Sequence, residues 1–459
     1  MRDLSMFGKV YVIKSTIIPI LHYASAHIDI NGDTVDSVQE IIWDFVWEWK
    51  TRFVSANVCY LPKSLGGLGL PNYDLIVKAS RVKMVIDIMN DELSWNIIAR
   101  RHFSFLDHKF DICNFALLVD NSTELIDRSD IPEYYKSCLL AFQELNRKGR
   151  IPLENSIIWC NELVKFNNNT LTYAHWSKSG MRYLSDIFTN GILHDRDSIK
   201  NRLRNKAGFI FEFSRLSRAI SSYNGLFDIS DMGMEHPTFR EMMYKVPITG
   251  ELKNVLELSS KDIYLILLNP CATERKSESY WSSKFEGLSL NFSNWYANLF
   301  GARIIPHKTA VFNWRIFHGQ VHTERSLRKM KLSNGICSLC GQCEEDIFHL
   351  FINCEKLVDI WKFVKIILKE FNIFDLQPVH QIVGYIDIVD RMNLPNMILS
   401  EARWQIWKYR CTHKKDKKGN KLPLLCIFKY CVKEHVTVLI KSGNFEHLRD
   451  MLENILEFL

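Results

Sequence analysis

Apolar side chains recur every three to four residues along much of the chain, which is the spacing of amphipathic helices. Residues 75–89, 307–318 and 357–368 follow this period, as does the stretch after the turn at residues 31–33. The apolar face of that stretch is expected in the core and comprises Val35, Val38, Ile41, Ile42, Phe45, Val46 and Trp49. Residues 54–61 are short and compatible with a strand. The pattern predicts a mainly α fold with two or three helical modules.

The composition is that of a globular protein with sizeable cores. Of the 459 residues, 47% are hydrophobic and 24% are charged, which allows several domains. The most apolar early stretch, residues 10–30, is interrupted by Lys14, His22 and His27, which argues against a membrane span or a signal peptide. We therefore expect a soluble protein of the cytoplasm and nucleus with no membrane partner. Twelve cysteines without secretory features indicate reduced thiols and a metal site rather than disulfides.

One group of cysteines has the spacing of a metal site. Cys337, Cys340, His349 and Cys354 form the pattern C-x2-C-x8-H-x4-C, and such soft ligands suit tetrahedral zinc. Because the protein supplies every ligand, the zinc is expected to be structural, in a small knuckle between helices, with no position open for a catalytic water. Two alternatives stay open. Cys343 competes as a ligand, or the cysteines are unrelated thiols beside a surface histidine.

Positive charge is concentrated in two parts of the chain, although the net charge is only +6. The candidate nucleic-acid contacts in the first part are Lys308, Arg315, Arg325, Arg328, Lys329 and Lys331, and those in the second are Arg403, Lys408, Arg410, Lys414 and Lys415. Such clusters are typical of surfaces that bind phosphate backbones, so RNA or DNA is the expected partner. Trp314 or Phe317 would stack bases if exposed. The alternative is a solvated helix face.

Several motifs occur in an order that is typical of one family. Residues 45–47 read Phe-Val-Trp and residues 61–68 read Leu-Pro-Lys-Ser-Leu-Gly-Gly-Leu, a tight turn. Trp176 and Gly180 follow, with Trp176 expected in a core. The last group comprises Trp314, Arg315, His318, Gly319, Thr323, Leu327, the Cys/His group with Leu350 and Phe351, and Trp361. Together they resemble the region after the polymerase core in LINE-type (non-LTR) retrotransposon reverse transcriptases, including the reverse-transcriptase zinc-binding domain.

The resemblance implies a division of the chain into four segments. Residues 1–110 would be the end of the polymerase thumb and the helices after it, and residues 111–280 a helical linker. Residues 281–375 would be the zinc-binding domain, and residues 376–459 a basic helical segment. One departure from the family pattern is Asp346 before the histidine, where the family more often has Glu-Thr.

The chemistry of the family does not transfer to this sequence. The polymerase of such elements needs an aromatic-x-Asp-Asp motif for two metal ions, and no Asp-Asp pair occurs here. We therefore expect no enzyme activity and an upstream polymerase portion outside these residues. Glu344 and Glu345 are interpreted as loop charges, and His318 as a packing residue or a phosphate contact. The predicted function is non-catalytic binding of RNA or nicked DNA. The alternatives are a zinc-stabilised protein-interaction scaffold and a decayed element without function.

Overall fold

Helices dominate the protein, which confirms the predicted mainly α fold. The computed structural model describes residues 4–48, 54–89, 131–149, 164–189, 192–203, 208–221, 242–301, 304–385, 394–415, 422–443 and 449–458, with a few single positions between them. Within these ranges, no helix is both long and apolar enough to cross a membrane. The chain divides into two compact units. The terminal unit comprises Met1–Ile13, Trp43–Pro71 and Thr273–Leu459, and the central unit comprises Lys14–Ile42 and Asn72–Ala272.

The α-helices of the described residues range in length from about one turn to 22 residues. In chain order they are α1 (Met6–Val12), α2 (Ile18–Ser25), α3 (Gly32–Trp47), α4 (Ala56–Tyr60), α5 (Tyr73–Met89), α6 (Glu133–Gly149), α7 (Ala174–Lys178), α8 (Arg196–Arg202), α9 (Phe209–Ser221), α10 (Ser260–Leu268), α11 (Lys276–Lys284), α12 (Phe292–Tyr296), α13 (His307–Phe317), α14 (Glu324–Lys329), α15 (Val358–Lys369), α16 (Pro378–Ile382), α17 (Leu394–Lys415), α18 (Leu424–Lys441) and α19 (Arg449–Glu457).

The strands of the described residues form three small antiparallel pairs. These are β1 (Lys165–Phe166) with β2 (Asn169–Thr170), β3 (Phe188–Thr189) with β4 (Ile192–Leu193), and β5 (Met243–Lys245) with β6 (Leu252–Asn254). In the first pair Lys165 faces Thr170, and the turn between them places Asn167 and Asn168 at positive φ. Asparagine tolerates that left-handed conformation better than most residues.

The main core of the central unit lies between α5, α6 and α10. Their apolar faces bury Val82, Phe142 and Ile263 completely, and the β5–β6 pair adds Tyr244. The helix α10 begins at a capping box in which Ser259 and Asp262 satisfy each other's backbone N–H groups. These helices therefore form where the sequence combines helical periodicity with start signals.

A second cluster of the central unit is built on tryptophans. Trp176 is fully buried and donates through Nε1 to Glu212 on α9 at 2.8 Å. Trp159 packs edge-on against it and donates to the Met181 carbonyl at 2.8 Å. Because buried indole N–H groups need acceptors, these bonds fix both rings in the core. The predicted core role of Trp176 is confirmed.

The terminal unit is assembled around α17, which spans 22 residues. Helices α13, α15, α16 and α18 all pack against it, and α19 packs on α18. Ile398, Ala402 and Ile406 lie on its buried face. Because it is enclosed on several sides, α17 carries both apolar and charged side chains into the interior.

The Gly66-Gly67 turn contacts α13 within the terminal unit. The carbonyl of Gly66 accepts hydrogen bonds from Trp314 Nε1 at 2.8 Å and from His318 Nε2 at 3.2 Å. Gly66 has φ +80°, and a Cβ on Gly67 would lie 2.0 Å from the Leu61 carbonyl oxygen, so both positions require glycine. The predicted tight turn is confirmed, and two motifs that are distant in sequence form one contact.

Two local expectations were wrong. Residues 54–61 contain helix α4, because a short apolar run fits a buried helical turn as well as a strand. Ile41 and Phe45 belong to the expected core face but are exposed, and the Lys9 ammonium lies over the Phe45 ring at 5.6 Å from its centroid. The buried face of α3 is formed instead by Val35, Ile42, Trp43, Val46 and Trp47. Trp49 lies outside the described residues.

Candidate metal centre

The first half of the centre is a tight loop that presents two cysteines. The backbone N–H of Cys337 donates to the Cys343 carbonyl at 2.8 Å, and that of Gly341 donates to the Cys337 carbonyl at 2.9 Å. Gly341 has φ +69°, which allows the chain to turn directly after Cys340. The N–H of Leu339 also points at the Cys337 sulfur, 3.4 Å away. The loop therefore places both sulfurs on the same side.

The second half is a single π-helical turn, His349–Asn353, that leads to Cys354. The Asp346 carboxylate accepts from the backbone N–H of His349 at 2.7 Å, and the N–H of Cys354 donates to the His349 carbonyl at 3.0 Å. Leu350 and Phe351 are fully buried and anchor the turn in the core. Asp346, which differs from the pattern described above, thus caps the start of the π turn and leaves His349 in place.

The four predicted ligands converge. One ligand atom from each of Cys337, Cys340, His349 and Cys354 lies within 4.8 Å of all the others, and His349 Nε2 is 3.4 Å from the Cys340 sulfur. A tetrahedral zinc with Zn–S bonds of about 2.3 Å holds its ligand atoms about 3.5–3.8 Å apart, so the arrangement suits zinc. Cys343 is exposed and outside the cluster, which removes it as a competitor.

Two of the sulfurs in the cluster share a hydrogen bond. It raises the pKa of Cys337, which is also raised by burial, and lowers the pKa of Cys354. One sulfur is therefore favoured as a thiol and the other as a thiolate. Bound zinc would supply positive charge at the same point and would favour the thiolate form of these cysteines.

A buried ion network lies next to the knuckle. Arg410 on α17 donates through Nη2 to Glu324 and to Glu345, both at 2.7 Å, and all three side chains are almost fully buried. Glu345 also accepts from the backbone N–H of Glu324 at 2.9 Å, and Lys414 and Ser333 donate to Glu324. Burial alone would lower the pKa of Arg410, but the hydrogen bond and charge of Glu345 outweigh it and raise that pKa.

This network corrects two expectations. Glu345 is not a loop charge, because its carboxylate is completely buried and neutralised by Arg410. Arg410, a predicted nucleic-acid contact, directs its donors to these acids and has no surface from which to reach a phosphate. A buried charge has to be paired, which explains the arrangement.

Arg403 is also buried, although it was expected at a nucleic-acid surface. Its guanidinium donates to Asn313 Oδ1 at 2.8 Å, the Gln381 carbonyl at 3.1 Å and Ser400 Oγ at 3.0 Å. Burial lowers its pKa to about 9. Arg403 thus joins α13, α16 and α17, and the expectation of a phosphate contact is corrected. Arg315 is partly buried and donates to the Gln320 carbonyl at 3.1 Å.

The remaining basic candidates lie at the surface. Arg325 and Arg328 pair with Glu344, and Lys414 pairs with Glu324. Among the described residues, no carboxylate lies within salt-bridge distance of the exposed ammonium groups of Lys308, Lys329, Lys331 and Lys408. The side chain of Lys415 lies outside the described part of the chain.

The aromatic candidates for base stacking are in the core. Trp314 and Phe317 are buried, so neither offers a free ring face and the condition for base stacking is not met. His318 lies between them and bonds to Ser277 Oγ at 3.0 Å and to the Gly66 carbonyl at 3.2 Å. Burial lowers the pKa of His318 to about 4. Of the two roles considered for His318, the structure favours packing.

The low pKa of His318 leads to a pH-dependent stability. In the unfolded chain the imidazole takes up a proton near pH 6.5, whereas in the folded protein it stays neutral down to about pH 4. The stabilisation that comes from keeping His318 neutral is therefore fully present above pH 6.5. It is lost progressively as the pH falls from 6.5 to about 4. Between pH 7.5 and 5.5 the wild type should lose about 1.4 kcal/mol more unfolding free energy than His318→Gln. Urea titrations at both pH values measure this, and equal losses would contradict it.

The terminal unit is helical and contains a cluster of three cysteines and one histidine, which is typical of zinc-binding proteins. Residues 259–361 match the family model described as zinc-binding in reverse transcriptase. The chain is also 21% identical to the Transposon TX1 uncharacterized 149 kDa protein of Xenopus laevis. That similarity covers 98% of this chain and 37% of the relative, so the chain spans well under half of the relative's length. The predicted zinc-binding region of a LINE-type reverse transcriptase is confirmed, as is the zinc cofactor.

Proposed function

We propose that this chain is a non-catalytic, nucleic-acid-binding C-terminal portion of a LINE-type reverse transcriptase. Three findings support the proposal: the matched zinc-binding region, the similarity to a transposon protein and the convergent ligand cluster. Cys337, Cys340, His349 and Cys354 would hold a structural zinc whose coordination is complete without water. The four predicted segments stay a proposal about the order of regions along the sequence, and polymerase chemistry would belong to a separate, upstream portion of such a reverse transcriptase.

The observation that carries the proposal is a basic turn, defined as residues 328–332, directly before the knuckle. The backbone N–H of Leu332 donates to the Leu327 carbonyl at 2.9 Å, which holds the turn against the end of α14. Met330 is 53% exposed and Leu332 is 70% exposed, and they alternate with the exposed Lys329 and Lys331. Cations that alternate with exposed apolar groups suit a ligand that offers both phosphates and base faces.

The partners that the basic turn would bind are single-stranded RNA or the single-stranded part of nicked DNA. Such strands expose bases for apolar contact, whereas a duplex offers mainly its backbone. Lys308 and Lys408 would extend the contact on the same unit. Arg403 and Arg410 are left out of the proposal, because their guanidinium groups are buried.

Salt dependence of RNA binding tests the basic turn. Each phosphate contact adds about −0.7 to the slope of log Kobs against log[salt] for a single strand. The double substitution Lys329→Ala and Lys331→Ala should therefore weaken binding and make the slope shallower by about 1.4. Fluorescence anisotropy with a labelled oligonucleotide between 50 and 200 mM salt gives both values.

The matched control removes two exposed lysines of α15 instead. Lys362→Ala with Lys365→Ala changes the net charge by the same amount, and we expect the slope to stay near that of the wild type. If both double variants reduce the slope equally, the contact is diffuse and the basic turn has no special role. If the wild type binds no oligonucleotide at low salt, the scaffold alternative replaces the proposal.

A further inference from the structure

A row of exposed side chains runs along α9 in the central unit. Phe211, Ser214, Arg215 and Arg218 are spaced at i, i+3, i+4 and i+7, so they share one face of the helix. All four are exposed, and Phe211 is 75% exposed. The other side of α9 is buried in the tryptophan cluster described above. These four residues, called the α9 stripe, therefore form the solvent face of a helix that a core holds in place.

The positive charge of the α9 stripe is not offset by acids. Within α9, all of which the structure describes, the only acid is Glu212. Its carboxylate accepts from His175 Nε2 and from Trp176 Nε1, both at 2.8 Å, so it is directed towards the tryptophan cluster. Among the described residues, no carboxylate lies within salt-bridge distance of Arg215 or Arg218. Guanidinium groups without acidic partners favour an anionic ligand, and phosphates match their geometry.

Aromatic surface lies beside these cations. The Arg215 guanidinium lies over the Phe166 ring of β1, 5.9 Å from its centroid, and this contact helps to position it. One helical turn before Arg215, Phe211 exposes its ring to solvent. An exposed ring can stack on an unpaired base, whereas a duplex keeps its bases stacked inside. The combination of cations and ring therefore favours a single strand over a duplex, and over a purely acidic peptide, which offers charge without a planar base.

We propose that the α9 stripe is a second single-strand contact surface, a step that rests on the nucleic-acid binding proposed above. Phe211 stacks on one base, and Arg215 and Arg218 bind the flanking phosphates. From Phe211 to Arg218 the stripe extends about 10 Å along the helix axis, which accommodates a short stretch of strand. Because stacking and phosphate contacts do not read base edges, the surface binds without sequence preference.

The test removes the basic turn first, so that the remaining binding does not depend on it. In the background Lys329→Ala with Lys331→Ala, a labelled oligothymidine should still bind at low salt, as measured by fluorescence anisotropy. Adding Arg215→Ala and Arg218→Ala should make the slope of log Kobs against log[salt] shallower by about 1.4, since two phosphate contacts are lost.

The matched control for the charge lies on α8 of the same unit. Arg196→Ala with Lys200→Ala also removes two exposed cations, but Asp195 and Asp197 flank Arg196 in the chain. In the same background, this control should leave the slope unchanged.

A strand without bases separates the role of Phe211 from that of the phosphates. In the same background, Phe211→Ala should weaken oligothymidine binding about tenfold and leave an abasic deoxyribose-phosphate strand of equal length unaffected. Phe211→Tyr keeps an aromatic ring and should retain the affinity. Phe374→Ala is the matched control, because Phe374 of the terminal unit is also 75% exposed but precedes Asp375. It should alter the binding of neither strand.

The outcomes separate this proposal from the one on which it rests. If the background variant loses all binding that the wild type shows, the α9 stripe is overturned and nucleic-acid binding stands. Equal slopes in the α9 and α8 double variants also overturn the stripe, as does a Phe211→Ala effect that is the same with and without bases. If only the α9 substitutions weaken binding, the stripe stands and the basic turn is overturned. No binding by the wild type overturns both proposals.

Discussion

Replacing Cys354 with serine is expected to release the zinc and unfold the knuckle, residues 337–354. The ligand atoms lie close together where the loop and the π turn converge, and bound zinc is expected to stabilise this arrangement. Structural zinc contributes about 10–16 kcal/mol in zinc-finger peptides, so we expect a large local effect when the metal is lost. Metal analysis after dialysis should find about one zinc per chain in the wild type and almost none in the variant.

The control for this prediction lies in the same loop. Cys343 is exposed and outside the cluster, so Cys343→Ser should keep its zinc and its hydrogen-exchange protection. In Cys354→Ser, protection should disappear from the knuckle and persist in α5, α6 and α10, whose core is independent of the metal. Full zinc occupancy in Cys354→Ser, or loss of zinc from Cys343→Ser, would refute the ligand assignment.

The second large effect is expected from Arg410→Met. The substitution leaves Glu324 and Glu345 buried without their guanidinium, and breaking a buried pair by removing one partner costs about 3–5 kcal/mol. Methionine keeps much of the packing volume, so the loss reports the charge rather than a cavity. Urea unfolding, followed through a signal from the terminal unit, measures the decrease.

Arg325→Met is the surface counterpart of this change. Arg325 is partly exposed and its Nε lies 3.6 Å from Glu344, so its removal should cost at most about 1 kcal/mol. Adding Glu345→Gln to Arg410→Met should restore part of the stability, because one uncompensated charge is removed. A loss after Arg410→Met as small as that after Arg325→Met would show that the buried acids are neutralised in another way.

Local patterns allowed the helices and the metal cluster to be predicted. The cysteine spacing places both loop sulfurs on one short turn, and helical periodicity identified α5, α13, α15 and most of α3. These features depend on neighbours within a few residues. The Gly66-Gly67 turn was also predictable, although its contact with Trp314 spans 248 residues and has no local signal.

The burial of Arg403 and Arg410 depends on distant partners. Arg410 lies 65 residues from Glu345 and 86 residues from Glu324, and Arg403 lies 90 residues from Asn313. Counting charges in a segment therefore could not distinguish a surface cluster from an internal network. One signal was available: both arginines share a helical face with the apolar Ile406, because they lie three residues before it and four after it. Charged residues on such a face are candidates for buried pairs.

The buried ion network also limits where the chain can be cut. The family match ends at residue 361, and a fragment that stops there keeps every cysteine and histidine of the knuckle. It would lack Arg410 and Lys414, however, and would leave Glu324 and Glu345 as unneutralised acids beside the metal loop. During synthesis, Glu324 and Glu345 would likewise lack their basic partners until the ribosome has made α17. We therefore expect a fragment that ends at residue 361 to be less stable than one that extends past Lys414.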